Sequence, residues 1–338
     1  MSILVTGGAG YIGSHMVYEL VDARESVVVL DNLTTGFHWA VPGEAKLVVG
    51  DIGDDALVKD VVRKHQVKAI IHFAGSIVVP ESVADPLGYY LNNTVKSRAL
   101  IAAAVASGVG QFIFSSTAAV YGAPRQVPVQ ETAQLEPMSP YGSSKLMTEI
   151  MLRDTSIAHD FSYVALRYFN VAGADPRGRT GQSTKGATHL IKVACEAALG
   201  KRPAMDVFGT DYATRDGTCI RDYIHVKDLA RAHVSALEHL RGGGKSEIFN
   251  CGYSHGYTVI EVIEAVKRVS GQDFPVRFAP RRPGDPPEIV ADSSKIRTNL
   301  GWQPQYDDLD RIVRHALDWE DRLSRLKRNA EPVAPVGA

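Results

Sequence analysis

Cysteine is scarce in this chain, and its few copies are scattered. Cys195, Cys219 and Cys251 are the only three. An odd number without Cys-x-x-Cys spacing argues against both a disulfide framework and a zinc site, and points to a reducing compartment. The eleven histidines form no His-x-x-x-His or His-Glu-x-x-His, so no metal is expected. Long apolar runs are missing too. None reaches the roughly 18 residues a membrane helix requires, and a strand already starts at Ile3, which leaves no room for a signal peptide and makes a cytoplasmic location the expectation. Charge of one sign is equally lacking, because 37 Lys and Arg meet 38 Asp and Glu. That balance offers no footprint for nucleic acid or an anionic membrane. Small molecules, or a second copy of the chain, are the expected partners.

What is present is a soluble globular chain of 338 residues, 45% hydrophobic and 22% charged, long enough for two domains or one domain with a substantial lobe. Ile3 to Thr6 reads as a short buried strand that runs into Gly7-Gly8-Ala9-Gly10-Tyr11-Ile12-Gly13 and a helical pattern from Ser14 to Ala23. Gly8, Gly10 and Gly13 satisfy G-x-G-x-x-G; Gly7, Gly10 and Gly13 give the wider G-x-x-G-x-x-G. Glycines permit a tight turn and close approach to a pyrophosphate, and the helix start presents free N–H groups to the anion. A second strand, Val27 to Leu30, ends at Asp31, 18 residues beyond Gly13. An acid there accepts from an adenosine ribose and repels a 2'-phosphate, which favours NAD over NADP.

A third strand, Leu47 to Ile52, puts Asp51 and Ile52 where an adenine would lie, and a fourth, Ala69 to Phe73, leads into Phe73-Ala74-Gly75 along the cofactor's path. His72 reads as a strand histidine rather than a ligand. A helix from about 87 to 107 carries Asn92, and a fifth strand, Gln111 to Phe114, ends in Ser115-Ser116-Thr117. In a parallel sheet such strand ends share one edge, outside which ligands bind. The expected fold is α/β: a doubly wound parallel-sheet (Rossmann) NAD-binding domain over 1–171 and a smaller mixed α/β substrate lobe over 172–330, with a flexible tail at 331–338. Tyr223 to Val226 and Ile248 to Asn250 look like strands returning to the first domain.

The chemistry centres on Ser139-Pro140-Tyr141-Gly142-Ser143-Ser144-Lys145. Serine before proline marks a helix start, so Tyr141 falls in a first turn and Lys145, at i+4, lies on the same face. Making a tyrosine a base at neutral pH means lowering its pKa by roughly three units, or about 4 kcal/mol. One cation about 4 Å away at an effective dielectric of about 20 supplies nearly that. Thr117, on a strand end facing the pair, would bond to the same substrate oxygen.

Glycine turn, strand-end hydroxyl and Tyr141-x-x-x-Lys145, in that order, resemble the three signatures of the extended short-chain dehydrogenase/reductase superfamily. Its dehydratases and decarboxylases carry acids just after the Ser/Thr. Here Ala118-Ala119-Val120-Tyr121-Gly122 follows Thr117, which points toward redox or epimerisation. Leu166-Arg167-Tyr168-Phe169-Asn170, Phe208-Gly209-Thr210-Asp211-Tyr212, Asp216-Gly217-Thr218, Arg221-Asp222-Tyr223-Ile224-His225-Val226 and Ala279-Pro280-Arg281-Arg282-Pro283-Gly284-Asp285 closely resemble the UDP-glucose 4-epimerases, in a match from about residue 3 to about residue 320.

That resemblance implies reversible 4-epimerisation of UDP-galactose and UDP-glucose, as in galactose metabolism, through transient hydride transfer to tightly bound NAD, with Tyr141 as base, Lys145 lowering its pKa and Thr117 sharing the hydrogen bond. It implies NAD contacts at Gly7, Gly10, Tyr11, Ile12, Gly13, Asp31, Asn32, Asp51, Ile52, Phe73, Ala74, Gly75, Asn92, Tyr141, Lys145 and Phe169. The UDP-sugar would meet Thr117, Tyr141, Asn170, Leu190, Phe208, Arg221, Arg282, Asp285 and Ile289. Arg221 and Arg282 suit a diphosphate, which guanidinium groups bind bidentately; Asp285 suits a ribose hydroxyl. A homodimer is implied as well, through the helix of Tyr141 and the helix around Asn92, with Leu146, Ile150 and Ile157 as candidate face residues. The chain departs from the pattern at Ile77, where many members carry a lysine near the cofactor, and at Ile289, where some carry a tyrosine that shuts out N-acetylated sugars. UDP-N-acetylhexosamine or UDP-pentose substrates, and a nucleotide-sugar dehydrogenase or reductase that releases its cofactor, stay open alternatives.

Overall fold

The computed structural model describes residues 2–282 and 284–330. Strand and helix alternate through the first half as β1 (Ser2–Thr6), α1 (Tyr11–Asp22), β2 (Ser26–Asp31), β3 (Lys46–Val49), α2 (Asp55–His65), β4 (Val67–His72), α3 (Val79–Ala84), α4 (Pro86–Tyr89), α5 (Lys96–Ala106), β5 (Gln111–Ser115), α6 (Pro140–Ala158) and β6 (Ser162–Tyr168). A π-helical turn, Tyr90–Val95, joins α4 to α5. The second half holds β7 (Asn170–Ala172), α7 (Leu190–Ala198), β8 (Met205–Phe208), β9 (Ile220–Arg221), β10 (Tyr223–His225), α8 (Val226–Arg241), β11 (Glu247–Cys251), β12 (Tyr257–Thr258), α9 (Val259–Ser270), β13 (Val276–Ala279), β14 (Glu288–Ile289), α10 (Ser294–Leu300) and α11 (Leu309–Ala330).

Seven strands form one sheet in the order β11-β6-β5-β4-β1-β2-β3, every neighbouring pair parallel. Parallel strands covered on both faces read as near-continuous apolar runs, and β1 is buried along its whole length. Side chains alternate between two apolar layers. Ile3, Val5, Val27, Val29, Ile71 and Ile113 pack with Met16, Val17 and Leu20 of α1 and Leu229 of α8. Leu4, Val28, Leu30, Ile70, Phe112 and Phe114 pack on the other face with Val58 and Val61 of α2 and Leu100 of α5. The strand order reverses between β1 and β4, so a crevice opens there above the carboxyl ends.

The smaller lobe is built from two short parallel pairs, β10-β7 and β13-β8, and the three-stranded β12-β9-β14. The first apolar layer continues into it through Ile191 of α7, Val262 of α9 and Ile312 of α11. Of the two expected returning strands, β11 pairs with β6 in the large sheet. Tyr223–His225 pairs instead with Asn170–Ala172, beside that sheet rather than within it. The third strand stops short, at Val49: Gly50 N–H makes its last ladder bond, to the Asp31 carbonyl, and just beyond it the Asp51 carboxylate accepts from Gly53 N–H in a turn. Asp222, fully buried, accepts from the N–H groups of Tyr253, Ser254 and Ala291, at 2.9, 3.1 and 3.2 Å. One carboxylate thereby fastens the segment after β11 to the segment after β14. The expected tail at 331–338 lies outside the described residues.

Candidate active site

The glycine turn explains itself by what a side chain would strike. Gly7 has φ +70°, and a Cβ there would lie 2.6 Å from the backbone nitrogen of Ala74; one at Gly13 would lie 2.1 Å from the Gly7 carbonyl oxygen. The turn therefore presses against the segment after β4 and against the first turn of α1. Gly10 caps that helix without a side chain, and the N–H groups of Tyr11, Ile12 and Gly13 have no partner inside the helix. Asp31 is buried and accepts from the N–H groups of Ala9 at 2.9 Å and Leu33 at 2.8 Å, which fixes the carboxylate beside the turn with lone pairs to spare. Asp51 is held by Lys96 at 2.5 Å and by Gly53 N–H at 2.8 Å, with the exposed Asn32 nearby. Burial pushes its pKa up, and these donors outweigh burial and leave it below the ordinary value. Ile52 is buried nearby in the layer with Leu30.

Ser139 accepts from Gly142 N–H at 3.2 Å and Pro140 opens α6, so Tyr141 occupies the first turn. A Cβ at Gly142 would lie 2.6 Å from the Ala119 carbonyl oxygen; its absence lets that turn close on the segment after Thr117. The Thr117 hydroxyl accepts from Ala119 N–H at 3.1 Å and lies near enough to the Tyr141 phenol to favour its ionised form. Lys145 reaches the Ser115 carbonyl at 3.2 Å and lies 4.9 Å above the Phe114 ring. A Cβ on Gly75 would be 3.6 Å from its Nζ, which places the ammonium against the Phe73-Ala74-Gly75 segment.

The electrostatics run against the simplest expectation. Burial raises the Tyr141 pKa, and the neighbouring Thr117 hydroxyl only partly offsets it. Burial also lowers Lys145 to about 8. Within the chain alone, the ammonium faces a carbonyl and a ring and does not bring the phenol below its ordinary value.

Phe169 is buried with Ala118, Tyr121 and Ile289. Asn170 and Leu190 line one cavity together with Gln182, His189, Tyr223 and Trp319. The ends of β8, β9 and β14 gather the rest: Ile289 sits in register with Arg221, Arg221 lies 3.8 Å from Asp285, and the exposed Arg282 stacks 3.7 Å over the Phe208 ring. Ile77 is 49% exposed at the surface.

Sequence reasoning missed the residues that brace these groups. Asn92 donates to Ser76 Oγ at 2.9 Å, but the buried Asn93 does more: its Oδ1 accepts from Ser76 N–H at 2.7 Å, and its Nδ2 donates to the Ser76 carbonyl and to Ser144 Oγ. Both asparagines fall in the π turn, whose extra residue per turn lets neighbours reach the same segment. Behind Thr117, Glu149 follows Lys145 by one more turn of α6. It accepts from Ser116 at 2.5 Å and from the fully buried Arg167, which also donates to Tyr121 at 2.9 Å. The Tyr-x-x-x-Lys-x-x-x-Glu spacing was the signal for this pair.

Residues 3–252 match the pattern that defines the NAD dependent epimerase/dehydratase family. The chain belongs to that family. Among relatives of this epimerase/dehydratase member, a UDP-glucose 4-epimerase of Azospirillum brasilense is 59% identical over 96% of this chain and 93% of its own. A crystal structure of UDP-glucose 4-epimerase from Brucella ovis in complex with NAD superposes with a TM-score of 0.91 at 44% identity, covering 94% of this chain and 97% of that one. The UDP-Glc/GlcNAc 4-epimerase of Campylobacter jejuni gives 0.84 at 50% identity over 95% and 99%. The crevice of this family member fits NAD: the hollow that a Cβ at Gly7 or Gly13 would fill, the free N–H groups of α1 and the fixed Asp31 carboxylate match a pyrophosphate and a ribose.

The buried lysine sets a test. Its folded pKa, about 8, lies below the 10.5 of a free side chain, so the folded chain binds fewer protons than the unfolded chain between those values and stability rises with pH across that window. The cost is complete below pH 8 and amounts to about 3 kcal/mol. In NAD-free protein, Lys145→Met is expected to be more stable than the parent at pH 7 in urea unfolding, by up to about that amount, with the gap closing toward pH 10. A gap independent of pH would contradict the burial.

Proposed function

We propose that the chain interconverts UDP-galactose and UDP-glucose by oxidising and re-reducing the sugar at C4. The observation that carries this reading is the meeting of Thr117, Tyr141 and Lys145 beside the glycine-turn crevice, in a chain that shares nearly its full length with UDP-glucose 4-epimerases. Bound NAD supplies a hydride acceptor and, when oxidised, a positive charge in the crevice. Tyr141 takes the proton of the 4-hydroxyl and later returns it, while Thr117 holds the same oxygen. Lys145 is positioned to contact the cofactor's nicotinamide ribose and adds to the field around the phenol. Arg221 and Arg282 clamp the diphosphate, Asp285 accepts from the uridine ribose, and Phe208, Asn170 and Leu190 enclose the nucleotide. Arg221 gives up its contact with Asp285 to do so, a modest loss because Asp285 is 39% exposed. The buried phenol exchanges protons with the sugar and not with bulk water.

The protein also presents an apolar stripe. Leu87, Leu91 and Val95, at 78, 55 and 52% exposed, recur every four residues, and Met147, Ile150 and Ile157 are exposed along α6, which packs against that segment. Leu146, one of the expected face residues, instead packs inward with Phe169 and Ile289. We infer that this stripe pairs with its copy in a homodimer. Sedimentation velocity is expected to show a dimer for the parent and a monomer for Leu91→Lys with Ile157→Lys; a monomeric parent would contradict it.

Proton NMR of the anomeric signals, with purified protein and no added NAD, tests the activity against UDP-galactose and UDP-N-acetylgalactosamine together. Conversion of UDP-galactose is expected, and Tyr141→Phe is expected to slow it at least about a hundredfold. Conversion of both sugars would mark the Ile289 wall as permissive, as in a UDP-Glc/GlcNAc 4-epimerase. No conversion, with or without NAD, would refute the reading.

A further inference from the structure

His72 ends β4 one residue before the crevice segment and is 1% exposed, with Thr6 and Ser97 buried on either side. The direction of every hydrogen bond through it can be worked out. Ser97 Oγ lies 2.5 Å from the Asn93 carbonyl, which only accepts, so the serine proton points there. His72 Nε2, 2.8 Å from that same Oγ, must then donate. A neutral ring protonated at Nε2 leaves a lone pair on Nδ1, and Thr6 Oγ1 lies 2.7 Å away to fill it. Phe114 stacks on the ring at 5.7 Å and Phe112 meets it edge-on at 5.9 Å. Burial and the nearby Lys145 cation both hold the imidazole neutral, with its pKa down at about 3.

The far end of this chain of bonds is the π turn. The Asn93 carbonyl that receives Ser97 also lies 3.4 Å from Thr148 Oγ1 on α6, while the Asn93 side chain grips both backbone groups of Ser76 and the hydroxyl of Ser144, the residue before Lys145. Ser144 Oγ in turn donates to the Tyr141 carbonyl at 2.7 Å. We propose that His72 is a positioning residue: as the Nε2–H tautomer it locks Ser97 onto the Asn93 carbonyl, fixes the π turn, and so holds the crevice wall at 73–76 in register with Tyr141 and Lys145. The consequence for turnover rests on the epimerase reading above; the bonding pattern does not.

His72→Phe keeps a flat ring between the phenylalanines and removes both histidine bonds, and Ser97→Ala removes the hydroxyl that links His72 to the Asn93 carbonyl while leaving the bond to Thr6. Both are expected to lower kcat roughly tenfold or more with little change in KM for the UDP-sugar, because a misplaced wall affects geometry at the reacting atoms. The double variant is expected to be no worse than the worse single one, since both break one path. His72→Gln, which keeps a donor toward Ser97, should recover part of the loss. Independently of turnover, hydrogen exchange at the Ser76 N–H is expected to speed up in His72→Phe and Ser97→Ala, and nitrogen-15 NMR of histidine-labelled parent protein should show the His72 proton on Nε2. Parent-like kcat and Ser76 protection in Ser97→Ala, or a proton on Nδ1, would overturn the proposal. A parent that binds NAD but fails to epimerise would refute the epimerase reading alone, leaving exchange and tautomer to decide the role of His72.

Discussion

Everything around the crevice follows from burying a phenol and an ammonium on one face of α6 without giving either an anion. Burial disfavours the charged form of each group: the phenol is held above its ordinary pKa and the ammonium is pulled to about 8. A carboxylate beside Lys145 would have relieved the lysine, and it would also have repelled a phenolate. The chain instead offers the neutral Ser115 carbonyl and the Phe114 ring, so the site stays primed for a charge that arrives from outside. Under the proposed mechanism, the ionisation of Tyr141 then depends on what the crevice holds.

A site of this kind needs stiff walls, and the fold supplies them from several elements. The turn after β1 and the segment after β4 meet where the sheet order reverses, so close that Gly7 has no room for a Cβ, and Gly13 has none against the Gly7 carbonyl. Asn93 ties the β4 segment to α6, and the Glu149–Arg167 pair ties α6 to β6 and to Ser116. Arg167 and Glu149 are almost completely buried; breaking one partner of such a pair leaves an uncompensated charge, so the turn carrying Thr117 is anchored against movement. In the smaller lobe the anchoring is lighter. Arg221, Asp285 and Arg282 are partly or largely exposed, with Arg221 3.8 Å from Asp285 and Arg282 over the Phe208 ring, which suits the closing and releasing role proposed for them.

Much of this was legible in the residues. Strand, glycine turn and helix announced the crevice because only glycine fits the contacts found there, and Ser139-Pro140 fixed the start of α6 and hence the register of Tyr141 and Lys145. Pairings of two and three residues were harder to read: Tyr223–His225 looks like any buried strand, and nothing local says that it pairs with Asn170–Ala172 rather than with the large sheet. The π turn left no mark in the hydrophobic period, so of two adjacent asparagines the half-buried Asn92 was chosen over the more deeply bonded Asn93. His72 is the strand residue its pattern predicts, and its bonds leave no local mark because its partners, Thr6 and Ser97, lie 66 and 25 residues away. The sign of the tyrosine shift was misjudged for a related reason: spacing shows that Lys145 shares a face with Tyr141, but only the packed structure shows how much water both have lost.

The account's central claim is that Tyr141 becomes a base only when a cation occupies the crevice. Ultraviolet difference spectroscopy of the phenolate band, titrated on protein loaded with NAD, loaded with NADH, and free of both, with Tyr141→Phe as the reference, tests it directly. The account predicts a phenolate that forms near neutral pH with NAD and only at clearly higher pH in the other two states. The same titration in all three would contradict it and return the task of lowering the phenol to Lys145 alone.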